Sequence, residues 1–208
     1  MRGQAQVNYS NHMLPACIDK KKLLIAVSTL LLICIGCSAP ISQFYPGSYF
    51  RQDNIYQNKV IGFLLQFPSG WDLVTAPEKM DKATRGIARE LHNRGAELLF
   101  IGSSPAPEQA VRAIAINLNV SSRIYAEKIR EMNDDGVDKD HGLSGLTISG
   151  QQMYRWDYEI DGFRFAEFFF TIDTYNVRVA FWTRPPVFQR FEAVYLEIIG
   201  SLSSMNRF

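Results

Sequence analysis

The sequence is poor in the side chains on which most catalytic sites depend. Its 208 residues include three cysteines and three histidines. Cys17, Cys34 and Cys37 lie near the N-terminus, so the chain beyond residue 37 has no thiol for a nucleophile, a zinc site or a disulfide bond. A serine nucleophile there would depend on His92 or His141 as its general base. These shortages argue against an enzyme.

Motifs that bind phosphate or metal ions are also missing. The 14 glycines form neither a dinucleotide-binding loop nor a nucleoside-triphosphate-binding loop. The string GLSGL at 142–146 lacks the second glycine of a nucleophile elbow. When 131–141 is aligned to an EF-hand loop through Gly136, the twelfth position is Gly142, where a glutamate is required. We therefore predict no catalytic residue, no cofactor and no metal, with a calcium-like loop at 131–141 as the alternative.

Dense clusters of lysine and arginine do not occur after Lys22. Residues 38–208 carry 18 basic and 20 acidic side chains, a net charge of −2. Nucleic-acid-binding domains concentrate basic residues on one face. We therefore expect no binding to DNA or RNA.

The N-terminus has the layout of an export signal. Lys20–Lys22 precede fourteen uncharged residues, LLIAVSTLLLICIG at 23–36. A membrane-spanning helix needs about 20 apolar residues, whereas the apolar core of a secretory signal needs about 7–15. We predict a signal peptide at 1–36, and its length favours Met13 as the true start of translation.

The junction CIGC, from Cys34 to Cys37, resembles the lipobox of bacterial lipoproteins. In that family a small residue precedes a cysteine that is acylated, in part with palmitate, and becomes the mature N-terminus. Gly36 and Cys37 match these positions, whereas Cys34 stands where leucine is usual. The resemblance implies cleavage between Gly36 and Cys37 and a lipid anchor on Cys37. The alternatives are lipidation of Cys34, an uncleaved anchor, and a redox pair, which here lacks the nearby cations that lower a thiol pKa.

Residues 37–48 are predicted to be the lipidated N-terminus and a tether. Two prolines, a glycine and three serines within 38–48 indicate a flexible segment that reaches about 35 Å when fully extended. Ser38, in place of aspartate, resembles the sorting signal of Gram-negative lipoproteins destined for the outer membrane. We therefore predict a lipid-anchored cell-envelope protein that faces the periplasm and has one globular domain at 49–208.

The rest of the sequence alternates helix and strand patterns. Apolar positions repeat at helical spacing in 78–95 and again after Ser121 and Pro186. Two β-rich runs flank Asp161-Gly162, a strong signal for a hairpin. We predict an α+β fold in which an antiparallel β-sheet is flanked by three helices, as an α/β/α sandwich.

The order of elements and one motif resemble the PsbP-like family, which includes Mog1-type and DcrB-type domains. The motif GF…FPxGW is followed much later by FFFTIDTYNVRVAFWT and a closing amphipathic helix, and the resemblance covers about 49–208. It implies a PsbP-like fold and a binding or assembly module rather than an enzyme. The matching residues of the motif are Gly62, Phe63, Phe67, Pro68, Gly70 and Trp71.

Aromatic residues are dense in the C-terminal half and offer a candidate contact surface. The phenylalanines on either side of Ala166-Glu167 differ in strand parity, which predicts either a bulge there or an outward Phe169. With Trp156 and Trp182, an outward Phe169 would form a partner surface. The competing interpretation is that these residues form the interior of a covered sheet.

These patterns predict a non-enzymatic, lipid-anchored module that binds or helps to assemble an envelope protein of unknown identity. Such a module should expose an apolar patch and show no cluster of convergent polar groups. The alternative, a small-molecule-binding or metal-binding lipoprotein, should show a closed pocket lined by these aromatic residues or a calcium-ordered 131–141. An enzyme would require His92 or His141 in a cleft beside a carboxylate and a hydroxyl.

Overall fold

The computed structural model describes residues 47–106 and 109–205. The predicted signal peptide with Met13 and Gly36, the predicted lipidation site Cys37 and most of the tether lie outside these residues. Within them, no helix is long and apolar enough to cross a membrane.

The described residues form two antiparallel sheets and three α-helices. The predicted antiparallel sheet and three helices are confirmed, whereas the second sheet was not predicted. In chain order the strands are β1 (Ser48–Phe50), β2 (Ile55–Asn58), β3 (Phe63–Gln66), β4 (Asp72–Val74), β5 (Ala96–Ser103), β6 (Ala110–Asn117), β7 (Lys139–Ile148), β8 (Gln151–Ile160), β9 (Phe163–Ile172), β10 (Tyr175–Thr183) and β11 (Ser203–Ser204). The helices are α1 (Lys82–Asn93), α2 (Ser122–Asn133) and α3 (Phe188–Gly200).

Local sequence explains where several of these elements begin and end. Asp161 and Gly162 adopt φ values of 53° and 75°, as a two-residue turn between β8 and β9 requires. Helix α1 begins after Asp81, whose carboxylate accepts a hydrogen bond from the N–H of Thr84. It ends shortly before Gly95, which has a φ of 74°. The hairpin and this helix therefore match the predictions from sequence.

The large sheet has seven strands in the order β4-β5-β6-β10-β9-β8-β7. The four-stranded sheet, β1-β2-β3-β11, packs on one of its faces. Phe63 of β3 meets Phe170 of β9 edge-on, with ring centroids 5.8 Å apart. Helix α3 lies on the same side, where Tyr195 stacks on Phe181. We call this side of the large sheet the small-sheet face.

Helices α1 and α2 cover the opposite side, which we call the two-helix face. Leu91 of α1 packs in a cluster with Leu98 and Ile114 of the sheet. Tyr125 of α2 meets Phe169 of β9 edge-on, with ring centroids 5.7 Å apart. Both faces of the large sheet are therefore covered, so the strands can be apolar at odd and even positions alike.

This coverage corrects the prediction about Phe169. Strand β9 keeps an unbroken register with β8 and β10, so there is no bulge at Ala166-Glu167. Phe168 packs in the core of the small-sheet face and Phe169 in that of the two-helix face, and both are fully buried. The prediction failed because it assumed that only one face of the strand would be buried.

Candidate functional site

A polar cleft of about 350 Å³ opens on the small-sheet face, beside the edge strand β7. Side chains from β7, β8, β9 and α3 line it. Its volume is within the range of roughly 300–1,000 Å³ that is usual for small-ligand sites, although the cleft is more open and more polar than most such sites. The lining residues are His141, Ser144, Arg155, Asp157, Arg164 and Glu192.

Strand alternation explains why charged side chains gather here. Residues 155, 157 and 159 of β8 point to the same side as Met153, because successive strand residues alternate between faces. Met153 belongs to the buried apolar core of the small-sheet face. At the next two positions on this face of β8, the side chains are the charged Arg155 and Asp157, which are 13% and 15% exposed.

Arg155 connects the strands of the cleft to helix α3. Its Nη2 atom lies 2.7 Å from Asp157 Oδ1 and 2.6 Å from Glu192 Oε1. Its guanidinium carbon also lies 5.6 Å from the centre of the Phe168 ring. Burial alone would lower the pKa of Arg155, but the bonds to Asp157 and Glu192 raise that pKa above its ordinary value. Arg155 therefore stays charged.

His141 lies at a β-bulge on the rim of the cleft. The register of β7 against β8 shifts between Asp140 and Gly142, which leaves His141 as the extra residue. Bulges redirect side chains and are common beside functional sites. Here His141 Nε2 lies 2.7 Å from Glu159 Oε1, and the two side chains are 21% and 24% exposed. The bulge thus brings His141 to the carboxylate of Glu159.

Arg164 differs from the other charged groups of the polar cleft. It is the cross-strand neighbour of Glu159, yet Glu159 contacts His141 instead. The guanidinium carbon of Arg164 lies 4.4 Å from the centre of the Phe188 ring, and its Nε atom is buried without a hydrogen-bond partner. Among the described residues, Arg164 has no carboxylate within ion-pair distance. Its positive charge is therefore not paired within that part of the chain.

The cleft meets part of the requirement for a catalytic triad. His141 lies beside the carboxylate of Glu159, and Ser144 lines the same cleft. Within 47–106 and 109–205, however, Ser144 makes no hydrogen bond to His141. The string GLSGL also lies inside strand β7, whereas a nucleophile elbow needs a sharp strand-to-helix turn. The other candidate base, His92, contacts Glu97 and has a side chain that is 55% exposed.

Two of the three residues predicted as a partner surface, Trp156 and Trp182, are the ends of a row of aromatic rings on the two-helix face. Trp156 stacks on Tyr158, Tyr158 on Phe165, and Phe165 on Trp182, with centroid separations of 4.0, 4.9 and 5.5 Å. Trp156 and Phe169 are 1% and 0% exposed, and only Trp182 is half-buried. The three residues predicted as a surface therefore do not form one in this conformation, because α2 and the stacked rings cover two of them.

A buried ion pair lies beside this aromatic row. Arg178 Nη1 is 3.4 Å from Glu167 Oε1, and the hydroxyl of Tyr158 donates a hydrogen bond to Glu167 Oε2 at 3.2 Å. Glu167 and Arg178 are 1% and 8% exposed. Burial also raises the pKa of the neighbouring Tyr125 to about 12. A ligand could reach these groups only if the helices moved, so they do not form an open site.

Much of the acidic stretch 131–141 forms regular structure, and its carboxylate Asp140 bonds to other groups of the domain. A 3-10 turn at Asp134–Gly136 and the start of β7 lie within it. Asp140 accepts hydrogen bonds from Arg130, from the indole N–H of Trp156 and from a backbone N–H. Burial alone would raise the pKa of Asp140, but these bonds hold that pKa below its usual value. Across the described ranges, no group of three or more His, Cys, Asp or Glu side chains is placed to hold a metal ion.

The polar cleft was not predicted from the sequence, although one signal was present. Arg155, Asp157 and Glu159 alternate with apolar residues on a predicted strand, which places their side chains on one face. Arg164 and Glu192 come from other elements, and their approach depends on strand register and on how α3 packs. Neither the strand register nor the packing of α3 can be read from the periodicity of the sequence.

Comparisons with known proteins give structural neighbours only. No family model matches the chain, and no curated protein matches it. The solution structure of the cyanobacterial PsbP from Synechocystis is 10% identical, covers 82% of this chain and 98% of its own, and has a TM-score of 0.49. A PsbP protein is thus among the structural neighbours of the chain.

Two further neighbours come from other bacteria. A protein of unknown function from Pseudomonas aeruginosa is 15% identical, covers 50% of this chain and 80% of its own, and has a TM-score of 0.42. A protein from Bacteroides thetaiotaomicron is 12% identical, covers 74% of this chain and 49% of its own, and has a TM-score of 0.46. Similarity at this level does not transfer a function from one chain to another.

Proposed function

We propose that this chain is a lipid-anchored protein of the bacterial cell envelope whose domain binds a small polar ligand in the polar cleft, without catalysing a reaction. The supporting observation is the convergence of Arg155, Asp157, Arg164 and Glu192, from three elements, on one cleft beside a rigid sheet. Ligand sites commonly combine a concave surface with a few convergent polar groups.

The distribution of exposed apolar residues favours a small ligand over an assembly partner. In the part of the chain that the structure describes, the large exposed apolar side chains are Phe50, Ile124 and Leu196. They belong to β1, α2 and α3, three separate elements. A protein partner would be expected to use a contiguous patch with buried aromatic anchors. Binding of an envelope protein is therefore the competing proposal.

The anchor is inferred from the sequence pattern at Gly36-Cys37, and Ser38 supports an outer-membrane location facing the periplasm. The test is the intact mass of the chain extracted from membranes, beside a Cys37→Ser variant. We expect the unsubstituted chain to begin at residue 37 with a diacylglyceryl group, and the variant to lack that mass. A mass that retains residues 23–36 would contradict the anchor.

Binding in the cleft is tested separately, by nuclear magnetic resonance on the isotope-labelled full chain. A low-molecular-mass extract of the envelope is added, and the backbone amide shifts are followed. We expect changes at Ser144, Arg155 and Arg164, and none around Trp182. Changes confined to the Trp182 region, or none at all, would contradict the proposed ligand site.

A further inference from the structure

The charges of the polar cleft are separated into a positive part and a negative part. The positive part is Arg164, whose guanidinium carbon lies 4.4 Å from the centre of the Phe188 ring. An arginine held on an aromatic ring presents a planar edge of N–H donors, which matches the two oxygens of a carboxylate. In the described ranges, no carboxylate of the chain occupies that position.

The pairing of Glu159 keeps the positive part open. Glu159 is directly opposite Arg164 in the sheet register and would be its natural partner. The bulge at His141 brings the imidazole within 2.7 Å of Glu159 instead. Glu159, the carboxylate opposite Arg164 in strand register, therefore contacts His141 of β7 instead, and Arg164 stays available to a ligand.

The negative part of the cleft is the pair Asp157 and Glu192. Both carboxylates contact the same atom of Arg155, Nη2, each through one of its oxygens. Two carboxylates share one guanidinium, so their combined charge exceeds that of their partner by one. The side chain of Glu192 is also 38% exposed. An ammonium group could bind here and compensate that charge.

We propose that the ligand of the polar cleft is a small zwitterion, namely a free amino acid or a short peptide. Its carboxylate pairs with Arg164, and its ammonium group pairs with Asp157 and Glu192. This inference rests on the proposed function, because it names the ligand of the same cleft. The polar lining and the volume of about 350 Å³ suit a compact ligand with a charge at each end.

The test is isothermal titration calorimetry on the purified full chain with three related probes. L-alanyl-L-alanine carries both charges, its N-acetyl derivative lacks the ammonium group, and its C-terminal amide lacks the carboxylate. We expect the dipeptide to bind at least about ten-fold more tightly than either derivative, since a charge-assisted hydrogen bond contributes that much or more.

Two variants assign the ends of the ligand. Arg164→Gln should bind the dipeptide and its amide equally, because the carboxylate has lost its partner. Glu192→Gln should reduce the preference for the free amine over the N-acetyl form. Arg184→Gln is the matched control, because Arg184 lies over Phe163 with the same 4.4 Å spacing but does not line the cleft. It should leave all three affinities unchanged.

The possible results separate the two proposals. The zwitterion proposal is wrong if the three probes bind equally or if the dipeptide does not bind. It is also wrong if inorganic phosphate binds in place of the dipeptide. If the envelope extract still shifts the cleft amides in these cases, the proposed function stands and only the ligand class is wrong. If the extract has no effect either, both fail. If Arg164→Gln loses binding because it misfolds, its melting temperature will also be lowered. The affinities of the Glu192→Gln variant then test the zwitterion proposal.

Discussion

The two faces of the large sheet hold their charged side chains in opposite ways. On the two-helix face, Glu167 and Arg178 are paired and almost fully buried. On the small-sheet face, Arg155 and Arg164 lie in an open cleft, and the second has no ion partner among the described residues. The apolar cores of the two faces are otherwise similar in kind, because both are rich in phenylalanine and tyrosine.

This difference separates charges that serve the fold from charges that can serve a ligand. A buried ion pair loses its hydration, so it tolerates little change and offers no access. Arg164 is partly exposed in the open cleft and has no ion partner among the described residues, so it can exchange water for a ligand. The comparison therefore predicts large stability effects at Glu167 and small ones at Arg164, with the opposite order for binding.

The largest expected effect comes from the apolar core of the small-sheet face. Phe181 is fully buried and its ring lies 4.7 Å from that of Tyr195. Phe181→Ala should lower the free energy of unfolding by about 3–5 kcal/mol, because the cavity cannot close completely. Phe165→Ala, at a half-buried position in the aromatic row, should lower it by less than half as much. Urea denaturation measures both, and equal losses would contradict the difference in burial.

The buried ion pair should give the next largest effect. Glu167→Gln keeps an oxygen for the hydroxyl of Tyr158 but removes the charge that compensates Arg178. We expect a loss of about 3 kcal/mol in the free energy of unfolding. The double variant Glu167→Gln, Arg178→Met should recover most of this loss, since no uncompensated charge remains. Additive losses in a double-mutant cycle would show that the two residues are not coupled.

The two helix caps on the two-helix face should contribute about 1 kcal/mol or less each. Asp81 accepts hydrogen bonds at 2.9 Å from both the N–H and the hydroxyl of Thr84. Ser121 accepts a single, longer bond of 3.3 Å from the N–H of Ile124. Asp81→Ala should therefore cost about 1 kcal/mol in thermal unfolding, and Ser121→Ala less. The reverse order would contradict the hydrogen-bond geometry.

The cap at Asp81 should also depend on pH. The hydrogen bonds from Thr84 hold the pKa of Asp81 below its ordinary value. A lowered folded-state pKa stabilises the fold above the unfolded value of about 3.9, and this contribution is lost as the pH falls through the folded value. The stability difference between the unsubstituted chain and Asp81→Ala should be constant near pH 7 and shrink below about pH 4. A difference as large at pH 2 as at pH 7 would exclude this linkage.

The smallest stability effect should be at Arg164. Its contact in the described residues is the ring of Phe188, and a cation–π contact at a partly exposed site contributes about 0.5–1 kcal/mol. Arg164→Gln should therefore lower the free energy of unfolding by less than about 1 kcal/mol while it abolishes carboxylate recognition. A loss as large as that of Glu167→Gln would make Arg164 a structural residue and remove the contrast between the two faces.

Local features were predictable from the sequence, and long-range ones were not. The Asp161-Gly162 hairpin and helix α1 depend on neighbouring residues, so turn chemistry and periodicity were sufficient. Strands β1 and β11 have three and two residues, which is too short for a periodic pattern to mark them, and β11 pairs with the distant strand β3. The predicted outward orientation of Phe169 was wrong because periodicity does not indicate whether one or both faces of a strand are covered by other elements.

The same limit applies to the polar cleft. Residues 155, 157 and 159 could be placed on one face of a strand from sequence alone. That face could equally have been solvated, since charged residues alternating with apolar ones are typical of a strand with one exposed side. The contact between Arg155 and Glu192 depends on how helix α3 lies on the sheet, which is a property of the whole domain.

The closing strand β11 has a consequence for when the domain can fold. Ser204 pairs with Phe63, and the hydroxyl of Ser201 accepts a hydrogen bond from the N–H of Gln66, 135 residues earlier. A chain still emerging from the ribosome cannot make these contacts until residues 201–204 have emerged. Contacts between distant residues also slow folding, because a long loop must close before they form. The pairing of β3 with β11 therefore waits until residues 201–204 have been made, so the four-stranded sheet is completed later than the local hairpin pairs β1-β2 and β2-β3.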